Sequence, residues 1–330
     1  MKEVVVTGGL GFIGSHVVDA YLTAGYRVRI IDSAVGAVID GADYDDDHRC
    51  TVIRQPIEQY LAVHGDFTGA DRVIHAAAHV GPAGILPHAG RLGFDIVNST
   101  AAVIEACLVA DVPLCVFSSA EVYGRSGLLA EGDDIRIPTN YNARIEYAAS
   151  KTLTEAMALN SRQRGLCVVI IRPFNIAGTR QSRAGGFVMP TFVQQALSGR
   201  PITVFGTGQQ RRAFTAVSDL TNFLTKHLDA ALAGPTEIIN IGNPANETSI
   251  VTLAERVKSQ LSSDSPILHV DGREVHGPEY AEAASFQKIP VLKAAHDLGW
   301  YPEVELDELI QRVGRYYRDC NDVRGRSAPL

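Results

Sequence analysis

The chain has 330 residues, of which 46% are hydrophobic, and its formal net charge is −7. This length can form one large domain and a smaller one, and the acidic balance disfavours nucleic acid, which binds basic surfaces. The five cysteines include no C-x-x-C pair, so we expect reduced thiols in a cytoplasmic protein. We expect no signal peptide, because the N-terminus enters a predicted strand directly, and no membrane partner, because no uninterrupted apolar run reaches the ~18 residues of a span.

The first half of the chain alternates two kinds of pattern. Short apolar runs rich in β-branched residues predict strands at residues 2–7, 27–32, 50–55, 71–78, 114–120 and 167–174. Helical patterns lie between them at residues 15–24, 91–110 and 146–164. Continuous apolar runs are typical of strands buried on both faces. The alternation therefore predicts an α/β fold, a Rossmann-type doubly wound parallel sheet, over residues 1–175.

The second half of the chain is less regular. It has helical patterns at residues 186–198 and 218–232, and strand patterns at 201–205, 237–242 and 267–270. The strand at 237–242 could rejoin the main sheet, so we assign residues 215–242 to the first domain. Residues 176–214 and 243–330 are then predicted to form a smaller C-terminal α/β domain that binds the substrate.

A glycine-rich turn follows the first predicted strand, where residues 7–14 read TGGLGFIG. Gly8, Gly11 and Gly14 fit a dinucleotide fingerprint, in which glycines make a tight turn and let the backbone approach a pyrophosphate at a helix N-terminus. Asp32 ends the next strand, where it would accept hydrogen bonds from ribose hydroxyls and repel a 2′-phosphate. The pattern predicts NAD rather than NADP, and the alternative is a bare glycine-rich turn.

Tyr147 and Lys151 form the sequence YAASK within a predicted helix. A spacing of four residues puts both side chains on one helix face, and the lysine charge is expected to lower the pKa of the tyrosine so that it can act as a base. On its own such a pair is common, and an exposed helical pair is the alternative. Downstream of a dinucleotide fingerprint it predicts catalysis. Ser118 and Ser119 end a predicted strand, at the edge where α/β proteins bind ligands.

Seven segments extend this pattern along the chain, in the order TGGLGFIGSH, HAAAHVG, SSAEVYG, YAASK, RPFNIAG, GQQRRAFTAVSDL and INIGNP. Through them the chain resembles the extended short-chain dehydrogenase/reductase family of nucleotide-sugar epimerases, dehydratases and decarboxylases. The resemblance implies an NAD-dependent enzyme that oxidises C4 of a sugar linked to a nucleotide diphosphate. The nucleotide that it favours is UDP. It also implies a homodimer formed through the helices at residues 91–110 and 146–164.

The resemblance also implies roles for individual residues. Tyr147 would be the base or acid at the sugar 4-hydroxyl, Lys151 would bind the nicotinamide ribose, and Ser119 would hydrogen-bond the 4-oxygen. Asn175 would hold the diphosphate or the sugar, and Arg212 would reach a phosphate or an anionic substituent. The remaining cofactor contacts implied are Phe12, Ile13, Ala76, Ala77, Ala78 and Ser118.

Two positions distinguish members of the family. Glu121 and Arg144 resemble those of the UDP-glucuronate decarboxylases, in which an arginine suits a substrate carboxylate. Glu121, or a water that it holds, would supply a proton at C5; the alternatives are a structural acid at position 121 and a surface or phosphate-facing arginine at 144. The resemblance therefore favours decarboxylation of UDP-glucuronate to a 4-keto pentose or UDP-xylose. A 4-epimerase of UDP-glucose or UDP-glucuronate, a 4,6-dehydratase (disfavoured by Ala120, where an Asp is usual) and an idle NAD-binding scaffold are the alternatives.

Two further segments bear on ligands. Residues 43–48 read DYDDDH, which could suggest a metal site, but a run of acidic residues is typical of a solvated loop, and we expect no metal. Lys288, Ile289 and Pro290 stand where many relatives read Arg-Pro-Asp, so we expect altered nucleotide contacts there.

Overall fold

The computed structural model describes residues 1–81, 83–125, 127–139, 141–272 and 287–326. Its strands, in chain order, are β1 (Glu3–Thr7), β2 (Arg27–Asp32), β3 (Cys50–Arg54), β4 (Arg72–His75), β5 (Leu114–Phe117), β6 (Gly127–Leu129), β7 (Val168–Pro173), β8 (Ile176–Ala177), β9 (Ile202–Phe205), β10 (Arg211–Ala213), β11 (Thr215–Ala216), β12 (Ile238–Ile241), β13 (Glu247–Ser249), β14 (Ile267–Val270) and β15 (Lys288–Pro290). Its helices are α1 (Phe12–Thr23), α2 (Ile57–His64), α3 (Leu92–Ala110), α4 (Ala143–Asn160), α5 (Val188–Leu197), α6 (Val217–Lys226), α7 (Leu228–Ala233), α8 (Ile250–Gln260), α9 (Lys293–Asp297) and α10 (Leu306–Arg326).

The main sheet is parallel throughout and has the order β12-β7-β5-β4-β1-β2-β3. Val4, Val5 and Val6 of β1, an interior strand between β4 and β2, are fully buried. Helices α1 and α6 cover one face, and α2, α3 and α4 cover the other. The predicted doubly wound α/β fold is confirmed, because apolar strands of this kind need helices on both faces.

The second half of the chain forms smaller units beside the main sheet. A four-stranded sheet has the order β13-β10-β15-β6, and β14 pairs with β9. Helices α5, α8 and α10 share one apolar cluster with β9. The strand predicted at residues 237–242 is β12, which pairs with β7 at the edge of the main sheet.

Several predicted boundaries are wrong, for local reasons. The strand predicted at 71–78 stops at His75, and the one at 114–120 stops at Phe117 and leads into a turn of 3-10 helix. The helix predicted at 146–164 begins at Ala143, because the Asn142 side chain accepts hydrogen bonds from two backbone N–H groups of the first turn. The helix at 218–232 is split between α6 and α7 at His227. Strand β3 is not buried on both faces, since it lies at the sheet edge.

The expectations for the cysteines and for membrane-spanning segments can be compared with the structure. All five cysteines are free. By length and composition, α3 is apolar enough to cross a membrane, although polar residues interrupt its apolar sequence. It carries Val103, Ile104 and Cys107 into the core beneath the sheet. In this fold α3 is one of the helices that cover the main sheet.

A buried ion pair connects helix α4 to the main sheet. Arg172 of β7 donates two hydrogen bonds to Glu155 of α4, at 2.8 and 2.6 Å, and the two side chains are 2% and 4% exposed. Ser118, after β5, donates its hydroxyl to the same carboxylate. The bidentate contact and the third donor compensate for burying the carboxylate.

The same network reaches the small sheet. The guanidinium of Arg172 lies over the ring of Tyr123, 4.8 Å from its centre, and the Tyr123 hydroxyl donates to Asn240 of β12 at 2.8 Å. Asn240 in turn donates to the carbonyls of Leu129 in β6 and Val291 after β15, both at 3.0 Å. The network therefore fixes β6 and β15 against the main sheet.

We predict that Glu155→Ala lowers the free energy of unfolding by about 3–5 kcal/mol, because it leaves Arg172 buried without its partner. Urea denaturation measures this. The matched control is Glu105→Ala, which removes an exposed pair with Arg164 whose side chains are 56% and 55% exposed and should change stability by at most about 1 kcal/mol. Equal, small losses in both variants would contradict the prediction.

Candidate active site

The glycine-rich loop between β1 and α1 has space only for backbone. Gly8 has φ +73°, and a Cβ there would lie 2.8 Å from the backbone of Ala77. A Cβ on Gly14 would overlap with the Gly8 carbonyl oxygen, which also accepts a hydrogen bond from Gly11 N at 3.1 Å. This loop packs closely against the backbone after β4 and leads directly into the N-terminus of α1. Such an arrangement fits a dinucleotide pyrophosphate.

Asp32 is held at the end of β2, beside this loop. Its carboxylate accepts hydrogen bonds from Leu10 N at 2.9 Å and from Ala34 N at 2.7 Å, and the residue is buried. These two bonds leave lone pairs on both oxygens for ribose hydroxyls. Phe12 and Ile13 begin α1, and Ala76, Ala77 and Ala78 follow β4, so the implied cofactor contacts lie at the carboxyl ends of the neighbouring strands β4, β1 and β2.

Ser119, Tyr147 and Lys151 meet at the carboxyl end of β5. Tyr147 and Lys151 are buried, and the Lys151 ammonium lies 6.0 Å from the centre of the Tyr147 ring. Lys151 donates to the carbonyl of Phe117 at 2.7 Å. The Ser119 side chain is hydrogen-bonded to Tyr147 and accepts from Glu121 N at 3.1 Å. These contacts bring the three side chains together as the sequence predicted.

The electrostatics of Tyr147 differ from the prediction. Burial raises the pKa of its phenol above the ordinary value; the hydrogen bond from Ser119 lowers it, and the negative charge of Glu121 raises it further. Burial also lowers the pKa of Lys151 to about 8. The lowered tyrosine pKa that we expected from the lysine is therefore wrong in this state, because desolvation is the largest effect and the Ser119 hydrogen bond offsets it only in part. The phenol is protonated at neutral pH.

Ser118 and Asn175 are anchored by protein groups. The Ser118 hydroxyl donates to Glu155, so a cofactor contact by Ser118 would come from its backbone. Asn175 lies in the left-handed region at φ +39° and donates its side-chain amide to the carbonyl of Ala213 at 3.2 Å. The implied role of Asn175 at the diphosphate or sugar stays a prediction.

A charged cluster surrounds Glu121, two residues after Ser119. Arg144 of α4 donates two hydrogen bonds to its carboxylate, at 2.7 and 2.9 Å, and Lys288 of β15 forms an ion pair with one of its oxygens. Arg212 of β10 lies opposite Lys288 in the strand register. Two basic side chains, Arg144 and Lys288, therefore bind one carboxylate beside the Ser119–Tyr147 pair, and the charge of Arg212 acts on Lys288.

The cluster holds Glu121 ionised. Burial favours its neutral form, but the charges of Lys288 and Arg144 outweigh burial and lower the pKa of Glu121 to about 2. A carboxylate with this pKa carries no proton at neutral pH in the ligand-free protein, which favours the water held by Glu121 over its own carboxyl group as the proton source at C5; that role stays a prediction. Arg144, expected to bind a substrate carboxylate, is engaged in a bidentate contact with Glu121.

Sequence analysis missed Lys288 as a site residue. It stood out only as a departure from the usual Arg-Pro-Asp. Strand β15 is three residues long and pairs with β6 and β10, so no local periodicity marks it. A lysine within a short apolar run, KIP, was the available signal, because lysine is rarely buried unless it is paired.

Such a constellation on a doubly wound sheet is that of an NAD-dependent enzyme of the short-chain dehydrogenase/reductase type. Residues 4–242 match the model of the NAD dependent epimerase/dehydratase family, and the chain belongs to that family. Its cofactor is NAD, and the glycine loop and Asp32 fit it.

Relatives within the family carry out different reactions on nucleotide sugars. The chain is 30% identical to UDP-N-acetyl-alpha-D-glucosaminuronate decarboxylase of Bacillus cytotoxicus, over 97% of this chain and 99% of that protein. It is 28% identical to UDP-glucuronic acid decarboxylase 1 of Danio rerio, over 96% of this chain and 72% of that protein. A solved dTDP-glucose 4,6-dehydratase of Streptomyces venezuelae with NAD bound has a TM-score of 0.81 and 27% identity, with 97% and 98% of the two chains covered.

We predict that Glu121→Gln destabilises the ligand-free protein in a pH-dependent way. The pKa of Glu121 is about 2 in the folded state, below its ordinary 4.5, so its ionised form contributes stability fully above pH 4.5 and progressively less as the pH falls toward 2. Urea denaturation of the wild type and the variant at a series of pH values measures the difference. A stability difference that stays constant down to about pH 3 contradicts the assigned pKa shift.

Proposed function

We propose that this enzyme decarboxylates a hexuronate linked to a nucleotide diphosphate, with UDP-glucuronate as the first substrate to test. The main support is the pair of basic side chains, Arg144 and Lys288, on Glu121 beside the Ser119–Tyr147 pair, with Arg212 next to Lys288 in the neighbouring strand. Positive charge at this place suits an anionic substituent on the carbon next to C4. The decarboxylases among the relatives support the same reaction.

The first step is oxidation of the sugar at C4. NAD, when bound, supplies the acceptor for the C4 hydrogen as hydride. The residues that would hold it are Gly8, Gly11, Gly14, Asp32 and Lys151. Tyr147, in its ionised form, takes the proton of the 4-hydroxyl, and Ser119 hydrogen-bonds the same oxygen. Since burial disfavours the phenolate in the ligand-free state, a positive charge brought in by the cofactor would favour it.

Decarboxylation then follows from the position of the ketone. A ketone at C4 makes the carboxylate on C5 that of a β-keto acid, so the bond from C5 to the carboxyl carbon breaks and its electron pair moves to the enolate oxygen at C4. Ser119 and the protonated Tyr147 donate hydrogen bonds to that oxygen and stabilise its charge. Carbon dioxide leaves, and C5 takes a proton from water. The product is a 4-keto pentose, or the pentose itself if hydride returns to C4.

Two other reactions of the family, 4,6-dehydration and 4-epimerisation of UDP-glucose, have less support from the residues of this site. Loss of water across C5 and C6 would need an acid beside Glu121, and position 120 is a buried alanine. A 4-epimerase of UDP-glucose needs no cation beside C5, because that substrate has no charge there. UDP-glucose therefore serves as the neutral comparison substrate.

We also propose that the chain forms a homodimer through α3 and α4. These neighbouring helices expose Phe94 (66%), Val109 (72%) and Leu153 (50%), and apolar side chains on adjacent helices are typical of a protein interface. Sedimentation equilibrium should give twice the chain mass, and a monomer mass at micromolar concentration would contradict the proposal.

We predict that the wild type releases carbon dioxide from UDP-glucuronate and that Tyr147→Phe loses at least about a hundredfold in rate, because general acid–base catalysis contributes about that much or more. Product masses and carbon dioxide release are measured with UDP-glucuronate and UDP-glucose. The variant should bind NAD as the wild type does, which separates lost chemistry from lost folding. Conversion of UDP-glucuronate to an isomer of equal mass would replace decarboxylation with epimerisation.

A further inference from the structure

Lys288 is a buried cation that is only partly satisfied by the protein. Its side chain is 5% exposed, and its ammonium forms an ion pair with a single oxygen of Glu121. Within the described part of the chain, the other donors of this ammonium have no acceptor. An ammonium has three donors, and a buried donor without a partner is destabilising. The ammonium therefore has donors left for a further acceptor.

The two cations on Glu121 are bound in different ways. Arg144 donates two hydrogen bonds to the carboxylate, which fixes both partners in one plane. Lys288 makes one contact, at the end of a flexible side chain. Of the two, Lys288 can accept an additional anion without giving up its contact with Glu121.

The position of Lys288 matches one substituent of the sugar. Glu121 donates its backbone N–H to Ser119, and Ser119 is hydrogen-bonded to Tyr147. Under the proposed function these two hydroxyls bind the oxygen on C4. The carboxylate of a hexuronate is attached to the adjacent carbon, C5. It would therefore lie between the Ser119–Tyr147 pair and the Lys288 ammonium bound to Glu121.

We infer that Lys288 is the specificity-determining residue for the sugar carboxylate, donating to it from β15 while Glu121 remains bound to Arg144 and orients the lysine. This inference rests on the proposed function for the identity of the anion. Glu121 has a second effect here, because its negative charge near the substrate carboxylate prevents the lysine from stabilising that carboxylate too strongly for it to leave.

A proton accompanies this binding step. Burial lowers the pKa of Lys288 to about 7, with Glu121 raising it and Arg144 and Arg212 lowering it. A second carboxylate at the ammonium raises this pKa again. Above about pH 7, binding of a uronate is therefore coupled to uptake of a fraction of a proton by Lys288, and binding of a neutral sugar is not.

The test measures binding to the NAD-loaded enzyme by calorimetry, with UDP-glucuronate and UDP-glucose as probes and buffers of different ionisation enthalpy. Lys288→Met should weaken UDP-glucuronate binding by about 10- to 100-fold, the range for a lost hydrogen bond to a charged group, and UDP-glucose binding by less than about threefold. It should also abolish the uptake of protons. The matched control is Lys293→Met, five positions along the chain, where the side chain is 78% exposed and no change is expected.

Each outcome decides the inference. Equal losses for both sugars in Lys288→Met, or no preference for proton uptake with UDP-glucuronate in the wild type, would overturn it. If Lys288→Met does not fold, as judged by NAD binding, the wild-type proton uptake decides alone. Carbon dioxide release is a separate readout. A wild type that binds the uronate through Lys288 and releases no gas refutes the proposed function and leaves the inference standing. A wild type that releases the gas while Lys288→Met weakens both sugars equally refutes the inference and leaves the proposed function standing.

Discussion

The buried ion pair between Glu155 and Arg172 connects the parts of this molecule on which the site depends. It joins α4, which carries Tyr147 and Lys151, to β7, which lies between β5 and the edge strand β12 of the main sheet. Through Ser118 it fixes the chain just before Ser119. A buried ion pair adds little to stability over well-packed apolar residues, but it specifies one arrangement of its partners. Here that arrangement places α4, the end of β7 and the chain at Ser119 next to one another.

The titratable residues of the site differ in the effect that sets their protonation state. Tyr147 is protonated because it is desolvated, Lys151 titrates near neutrality, and Glu121 is ionised because two cations surround it. The negative charge of Glu121 acts on Tyr147 as well as on Lys288. Tyr147 and the basic cluster are therefore coupled through one carboxylate. Under the proposed function, an anionic substrate and a positively charged cofactor would both alter the pKa of Tyr147.

How much of this site could be predicted depends on the range of the contacts. The glycine loop, Asp32 and the Tyr147–Lys151 pair are set by local sequence, since a turn, a strand end and one helix face place them. Glu121 and Arg144 were recognised singly, but their pairing joins a turn after β5 to the start of α4 and leaves no periodic signal. Lys288 reaches the site through three-residue strands whose partners, Gly127 and Arg212, lie far away in the sequence. The expected direction of the Tyr147 pKa shift was wrong because that direction depends on burial of the side chain, which residue spacing does not show.

The central claim is that this site removes the carboxylate of a nucleotide-linked uronate. The most direct measurement uses UDP-glucuronate labelled with carbon-13 at the carboxyl carbon, incubated with the NAD-loaded enzyme and followed by NMR. The account predicts that the label leaves the sugar and appears as carbon dioxide and bicarbonate, in amounts equal to the pentose nucleotide formed. Label that remains in a sugar whose C4 has been inverted, or that remains in unchanged substrate, would contradict it.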